Sequence, residues 1–480
     1  MQKLVIYYNS NIVLCKESLL TMNIKIQNLG TIKEACIDLN KKLTVFCGPN
    51  NTGKTYVSYI IYALTNIGMK PTQVLSDELL KSFIQEGHFS FEIDAKDVNI
   101  FRDELTGLIK DNLSTIFGVS DEKTQSYFST FNLSFESTLD EFQDKIIKEG
   151  FKLGVSILDI DIQITKMNDS RLVLIENISE KKTIKPATVQ FLTYQMVTMI
   201  YSCLALYPAS TSAIFPVERN SIYTFSKELS LQRNLLIEQM QELSSNKKLN
   251  PWDLLEKRST RYPLAVRDCL EVADDLVNLQ SRRSPFYEFA EQLEEQLLKG
   301  KISVSKDGEV IYVPAKAKSV KLPIHLSASI VKTLSSLTFY LRYLAKNNDL
   351  IIIDEPELNL HPDNQIVLAR LFAKLINKGF RLLISTHSDY IIREINNLIM
   401  ISSSSDEMKN LAIELGYQND EYIDSNEVNA YLFNHKGKRS VVVSKIPVTV
   451  AGFEVDTIDS AINNLNSVSE ELYYTMKYGK

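Results

Sequence analysis

The chain has 480 residues, 44% of them hydrophobic and 23% charged, with a formal net charge of −6. That is enough apolar sequence for an ample core in about two structural units, and the acidic balance argues against a protein whose main activity is coating nucleic acid. The five cysteines form no C-x-x-C pair, which argues against a disulfide framework or a zinc ribbon and suits a reducing cytoplasm.

The first twenty-one residues show no basic region followed by a long apolar run, so no secretory signal is expected, and the protein is expected in the cytoplasm. The first strand pattern is Asn23-Ile24-Lys25-Ile26. A second apolar strand pattern, Lys42-Leu43-Thr44-Val45-Phe46-Cys47, leads into Gly48-Pro49-Asn50-Asn51-Thr52-Gly53-Lys54-Thr55 and then a helical pattern from Tyr56 to Leu64. This fits G-x-x-x-x-G-K-[ST] at every fixed position, in the strand–loop–helix context the motif requires. Pro49, Asn50, Asn51, Thr52 and Gly53 are expected to curl around nucleotide phosphates, helped by the partial positive charge of the helix N-terminus. Lys54 is expected to reach the β and γ phosphates and Thr55 to ligate Mg²⁺.

Residues 76–150 alternate short helical and turn patterns. Residues 151–178 switch to period two, with Asn168-Asp169 as the expected turn of an antiparallel hairpin. The best membrane candidate, residues 191–207, is interrupted by Tyr194, Gln195, Thr198 and Ser202 and falls short of the ~20 apolar residues a span needs, so a buried helix is expected. Residues 224–299 read helical, cut by Pro251, Pro263 and Pro285. They cannot supply the unbroken heptads of a long coiled coil.

His325-Leu326-Ser327-Ala328-Ser329 precedes an apolar helical stretch at residues 334–344. Then Leu350-Ile351-Ile352-Ile353-Asp354-Glu355-Pro356 begins with a short, mostly β-branched run, the pattern of a parallel strand buried on both faces. Its terminal carboxylates point into the crevice where α/β folds bind ligands. Asp354 is placed to hold Mg²⁺ through water, and Glu355 to orient the attacking water, which phosphoryl transfer needs more than covalent chemistry. One helix and one strand later, Arg381-Leu382-Leu383-Ile384-Ser385-Thr386-His387-Ser388 ends in a histidine positioned to bond the γ-phosphate or that water. Strand patterns at residues 428–450 and a helix with Leu465 and Leu472 follow.

The loop, the acidic strand and the histidine strand, in this order, resemble the ABC-type ATPase head, in the branch that holds SMC, RecF and OLD-family proteins. Asp354-Glu355-Pro356-Glu357-Leu358-Asn359-Leu360-His361-Pro362 resembles its Walker B and D-loop, and Ser385-Thr386-His387-Ser388 its switch-histidine loop. The resemblance implies an α/β fold with a mixed and parallel sheet, an antiparallel β-layer and a mainly helical insertion. It also implies a homodimer that sandwiches ATP and Mg²⁺, each site completed by a signature serine from the opposite subunit. Ser327 is the expected signature serine, with Ser329 in reserve; Ala328 and Ser329 stand where the family has glycines. Alternatively Ser327 is an ordinary helix N-cap. Ala213-Ile214-Phe215-Pro216-Val217-Glu218-Arg219-Asn220 resembles the strand and loop of the Q-loop region without its glutamine, so Glu218 and Arg219 read as site neighbours or as a turn.

The expected organisation is residues 1–75 and 311–480 as the two parts of the ATPase head, with residues 76–310 as an insertion. The chain is similar to stand-alone ATPases of bacterial antiphage systems such as Septu and PARIS. That similarity implies a separate nuclease or toxin effector gated by nucleotide state, and possible oligomers beyond the dimer. The tail lacks the carboxylate strands of a Toprim nuclease. A RecF-like repair ATPase binding DNA directly is the alternative, with Lys316, Lys318, Lys321 and the Arg282-Arg283 pair as candidate basic contacts. A transporter subunit would not need the long insertion between loop and signature. A non-catalytic scaffold would not need Lys54, Asp354, Glu355 and His387 together.

Overall fold

The computed structural model describes residues 13–14, 22–67, 77–136, 148, 150–157, 160–179, 186–206, 208–209, 211–225, 262–402, 405–437 and 440–479. Residues 226–261, the first half of the stretch read as helical over 224–299, lie outside them.

A nine-stranded sheet carries all three sequence motifs. Five strands run parallel, in the spatial order Ser212–Phe215, Leu350–Asp354, Arg381–Thr386, Leu43–Cys47 and Val428–His435. Past Val428–His435 the sheet becomes mixed. Val441–Ile446 pairs antiparallel with it and parallel with Ile32–Asp38, and antiparallel Asn23–Leu29 and Asn132–Phe135 follow. Asn132–Phe135 and Ser212–Phe215 both come from within residues 76–310, so that stretch returns twice to the main sheet.

The apolar runs behave as parallel strands covered on both sides: every residue of Leu43–Cys47 and Leu350–Asp354 is buried. Alternate residues face opposite sides. Phe46, Leu350, Ile352 and Leu383 enter one core with the helices Lys54–Asn66 and Pro186–Ala205. Leu43, Val45, Cys47, Ile351, Ile353, Leu382 and Ile384 enter a second core under the helices Ser329–Tyr343, Pro362–Asn377 and Asp389–Ser402. The sheet is therefore the shared wall of two cores.

A five-stranded antiparallel sheet adds the β-layer, in the order Val13–Leu14, Phe151–Ile157, Ile160–Lys166, Leu172–Asn177 and His88–Glu92. Buried residues alternate with more exposed ones along Ile160–Lys166, as in a sheet with one wet face. The expected hairpin turn is present, with Asp169 at φ 54°. The layer is wider than a hairpin because it recruits His88–Glu92, where the sequence showed only helical and turn patterns. Gly300–Val304, Val310–Pro314 and Leu322–Pro323 form a third, antiparallel sheet that the sequence reading did not anticipate. Pro263 stands at the N-cap of Leu264–Asp274, where it starts a helix, as proline is suited to do. No described helix is long and apolar enough to cross a membrane.

Candidate nucleotide site

Parallel registry brings the three motifs to one edge of the sheet. Cys47 is paired with Thr386, and Ser385 with Asp354, so the loop after Cys47, the carboxylates after Ile353 and the segment after Thr386 all leave from neighbouring strand ends. The histidine strand lies between the other two. The C-terminal edge of parallel strands is where such folds receive ligands.

The loop takes a shape only its own residues permit. Gly48 has φ 127°, and a Cβ there would lie 2.1 Å from the Phe433 carbonyl oxygen of the neighbouring strand. Gly53, at φ 88°, caps the helix Lys54–Asn66, and Asn51 is also left-handed at φ 60°. Such sequences of backbone conformations form concavities suited to anions. Thr52 is buried and its Oγ1 donates to the Pro49 carbonyl at 2.8 Å, which staples the loop. Asn50 and Asn51 are exposed, and Pro49 and Gly53 are half-buried. Lys54 is buried and folds back, its Nζ donating to the carbonyls of Gly48 at 2.9 Å and Pro49 at 2.8 Å. Burial lowers its pKa, opposed by the nearby Asp354 and Glu355 carboxylates.

Thr55 Oγ1 donates to Asp354 Oδ2 at 2.7 Å, and Ser385 Oγ donates to Asp354 Oδ1. Despite these donors, burial pushes the Asp354 carboxyl above its ordinary range. A hydroxyl and a carboxylate side by side are the hard oxygen donors a magnesium ion takes, with phosphate and water filling its other positions. The residues present fit that ion as a nucleotide-borne guest. Among the described residues no cluster of three or more His, Cys, Asp or Glu side chains stands ready to hold a metal alone.

Glu355 has φ 45°, a conformation that costs a non-glycine residue free energy and persists only where its surroundings impose it. Its N–H donates to the Ser385 carbonyl at 3.0 Å. Its own carbonyl accepts from Arg219 Nη2 at 2.6 Å, while Arg219 Nη1 donates to the carbonyls of Asp354 at 2.5 Å and Pro216 at 3.0 Å. Arg219 is only 2% exposed, and burial lowers its pKa to about 10. In this geometry Glu355 Oε1 meets His387 Nε2 at 3.4 Å, with both side chains about one-third exposed, at 32% and 29%. The hydrogen bond with His387 leads the effects that hold the Glu355 carboxyl below its ordinary pKa, so it stays an acceptor.

Three neighbours exceed what the motifs foretold. Arg219, weighed as a turn residue, is a clamp on the carboxylate strand's end. Ser385 is a direct partner of Asp354. Glu357 accepts from Thr386 Oγ1 at 2.9 Å and from the His387 N–H at 2.6 Å, so it fixes the segment carrying the histidine, and burial raises its carboxyl pKa. Its place two residues after Glu355 was the available signal.

The signature segment is built differently. Ser327 is buried, and its Oγ donates to the Ile324 carbonyl at 2.6 Å. It does not cap the following helix; Ala328 holds that position without a side-chain bond. The helix Ser329–Tyr343 thus begins uncapped, with Ala328 and Ser329 exposed and Leu326 65% exposed beside them. Thr333 Oγ1 donates to Asn220 Oδ1 at 2.9 Å, tying this helix to the residue after Arg219. Glu218 is exposed. Lys316, Lys318 and Lys321 are exposed between the strands Val310–Pro314 and Leu322–Pro323, and Arg283 stacks over the Tyr287 ring at 4.6 Å.

A family model described as an AAA ATPase domain matches residues 22–392. Solved structures similar to the chain include the SMC head domain from Thermotoga maritima, at 9% identity and a TM-score of 0.32, covering 89% of this chain and 99% of that one. An Smc head bound to the C-terminal winged-helix domain of ScpA matches at 13% identity and a TM-score of 0.34, covering 90% and 98%. An Smc head with an extended coiled coil, bound to the C-terminal domain of ScpA derived from Pyrococcus furiosus, matches at 12% identity and a TM-score of 0.34, covering 94% and 99%. No curated protein matches the chain.

Proposed function

The chain belongs to the family of AAA ATPase domains, and from that premise we propose that it hydrolyses ATP in a homodimer and that its nucleotide state controls a separate effector. The observation that carries the hydrolytic part is the pair Glu355–His387, held beside Thr55 and Asp354 by Arg219 and Ser385.

In this reading Lys54 leaves the carbonyls of Gly48 and Pro49 and donates to the β and γ phosphates. Thr55 and Asp354 hold Mg²⁺, which supplies charge neutralisation at the phosphates. Glu355, ionised and fixed in orientation, accepts a hydrogen bond from the attacking water. His387 steadies Glu355 and bonds the γ-phosphate. None of these groups needs to form a covalent bond, because positioning and electrostatics supply the rate.

The trans half of the site is Ser327 with Ser329. An uncapped helix N-terminus offers unsatisfied N–H groups and a partial positive charge to a phosphate. That supports the start of the helix Ser329–Tyr343 as the surface presented to the opposite chain's nucleotide, in place of the glycines absent here. The effector is a nuclease or toxin, following the sequence's likeness to antiphage ATPases. Direct DNA binding is the second reading, favoured by the three exposed lysines between residues 316 and 321.

The test is co-expression of the tagged chain with its neighbouring genes, wild type beside Glu355→Gln. The expected result is a nuclease or toxin retained or released according to nucleotide state. A chain that purifies alone, with ATP hydrolysis raised by added DNA, would instead favour the second reading.

A further inference from the structure

The helix Lys54–Asn66 is buried almost throughout, as its apolar sequence dictates. Tyr56 is the exception: it is 43% exposed, and no other residue of the helix is exposed. It stands third in the helix, within the turn assigned to the phosphates. Its ring packs against Phe117, at 5.1 Å between centroids, and Phe128, at 6.1 Å, and the remainder of it meets solvent.

The direction of the ring follows from its neighbours. Thr55 reaches Asp354, on the side of the carboxylate strand. Each further helical residue turns by about 100°, and Tyr56 lies elsewhere, where a Cβ on Gly30 would come within 3.3 Å of its ring. Gly30 belongs to the turn between Asn23–Leu29 and Ile32–Asp38, and Asn28 Nδ2 ties that turn to the Thr130 carbonyl at 3.1 Å. Helical side chains lean toward the N-terminus of their own helix, so the ring leans toward the phosphate loop.

The sheet fixes which way a nucleotide lies. Arg381–Thr386 and Leu350–Asp354 stand on one side of the loop strand Leu43–Cys47, and Val428–His435, Val441–Ile446, Ile32–Asp38 and Asn23–Leu29 on the other. A triphosphate with its γ-phosphate at Glu355 and His387 has its reacting end over the first side. Its ribose and base therefore extend over the second, toward the turn beside Tyr56, where Asn28, Gly30 and Thr31 are exposed.

We propose that Tyr56 is the base-stacking residue of the site, the open part of its ring taking the nucleobase of the nucleotide held by the loop. This rests on the ATPase reading and deepens it, by naming the group that recognises the substrate beyond its phosphates. Stacking uses the π-face that every base has and grows with ring overlap, so the site selects purine over pyrimidine nucleotides without reading the edge of the base.

The test is calorimetric titration of the full chain, with Mg²⁺, against ADP, CDP and inorganic pyrophosphate, the last having the phosphates without the base. The wild type is expected to bind ADP more tightly than CDP or pyrophosphate. Tyr56→Leu keeps an apolar side chain on Phe117 and Phe128. It is expected to lose roughly tenfold in affinity for ADP and the preference over CDP, with pyrophosphate affinity unchanged. Tyr56→Phe is expected to match the wild type. Unchanged ADP affinity in Tyr56→Leu would overturn the proposal, and so would a Tyr56→Phe variant as weak as Tyr56→Leu. A parallel loss of pyrophosphate affinity would also overturn it, making Tyr56 a support of the loop alone. A wild type that binds neither ADP nor pyrophosphate would remove the nucleotide site itself, whereas one that binds both equally would remove only the stacking.

Discussion

The loop side of the nucleotide site and the signature segment are made of similar residues, small polar side chains around a helix start, yet they are built in opposite ways. On the loop side the polar groups named above are tied down inside the chain. Thr52 and Lys54 bond the loop carbonyls, Thr55 and Ser385 bond Asp354, and Arg219 bonds the carbonyls of Asp354 and Glu355. At the signature, Ser327 is spent on its own turn, the helix behind it is uncapped and Ser329 faces solvent. The first region is pre-organised by its own fold, and the second has an unsatisfied end. In the account proposed here, one chain supplies a rigid half-site and leaves the other half to a second copy.

The comparison breaks most sharply at Glu355. Glu355→Gln keeps the side chain's size but loses the negative charge and one of the two acceptor oxygens, so turnover is expected to fall by about 10²–10⁴-fold while ATP binding persists. Steady-state hydrolysis beside a nucleotide-binding titration checks this, and wild-type turnover would remove Glu355 from its role. Lys54→Ala should instead abolish nucleotide binding itself, measured by the same titration.

Arg219 comes next. Arg219→Ala leaves the buried carbonyls of Pro216, Asp354 and Glu355 without their donor, with an expected cost of roughly 3 kcal/mol of stability read by chemical denaturation. Arg219→Lys retains one donor and a charge, so the fold should survive. Because Glu355 loses its second anchor, kcat should fall more than the affinity for ATP. A lysine variant with unchanged kcat would make the arginine purely structural.

The smallest effect is on pH dependence. The His387 hydrogen bond holds Glu355 below its ordinary pKa, so Glu355 is ionised at and above that depressed value and the acid limb of the rate profile lies low. Removing the bond in His387→Ala lets the Glu355 pKa rise, and the acid limb is expected to move to higher pH. An unmoved limb in the residual activity of His387→Ala would detach the histidine from Glu355.

The same contrast explains what the sequence made legible. The loop and the acidic strand are local patterns, each a strand followed by chemistry at its end, and the parallel registry of Leu43–Cys47, Arg381–Thr386 and Leu350–Asp354 assembled them. Arg219 and Glu357 stayed obscure because their importance lies in contacts across the fold, 135 residues away in the case of Arg219 and the Asp354 carbonyl. No periodicity announces such a contact. The short strands between residues 300 and 323 were missed for a related reason: each is two to five residues long, too brief to show a period. The wide antiparallel layer was only half seen, because its edge strand His88–Glu92 pairs with Leu172–Asn177 far along the chain.

The central claim, that one site needs two chains, is tested most directly by mixing two inactive variants. Lys54→Ala lacks the loop half and keeps its signature; Ser327→Ala/Ser329→Ala lacks the signature and keeps its loop. Mixed dimers contain one site with both halves intact, so ATP hydrolysis is expected to reappear on mixing, toward half the wild-type rate per mixed dimer. A mixture as inactive as its parts, or a signature variant that alone hydrolyses ATP at the wild-type rate, would contradict the account.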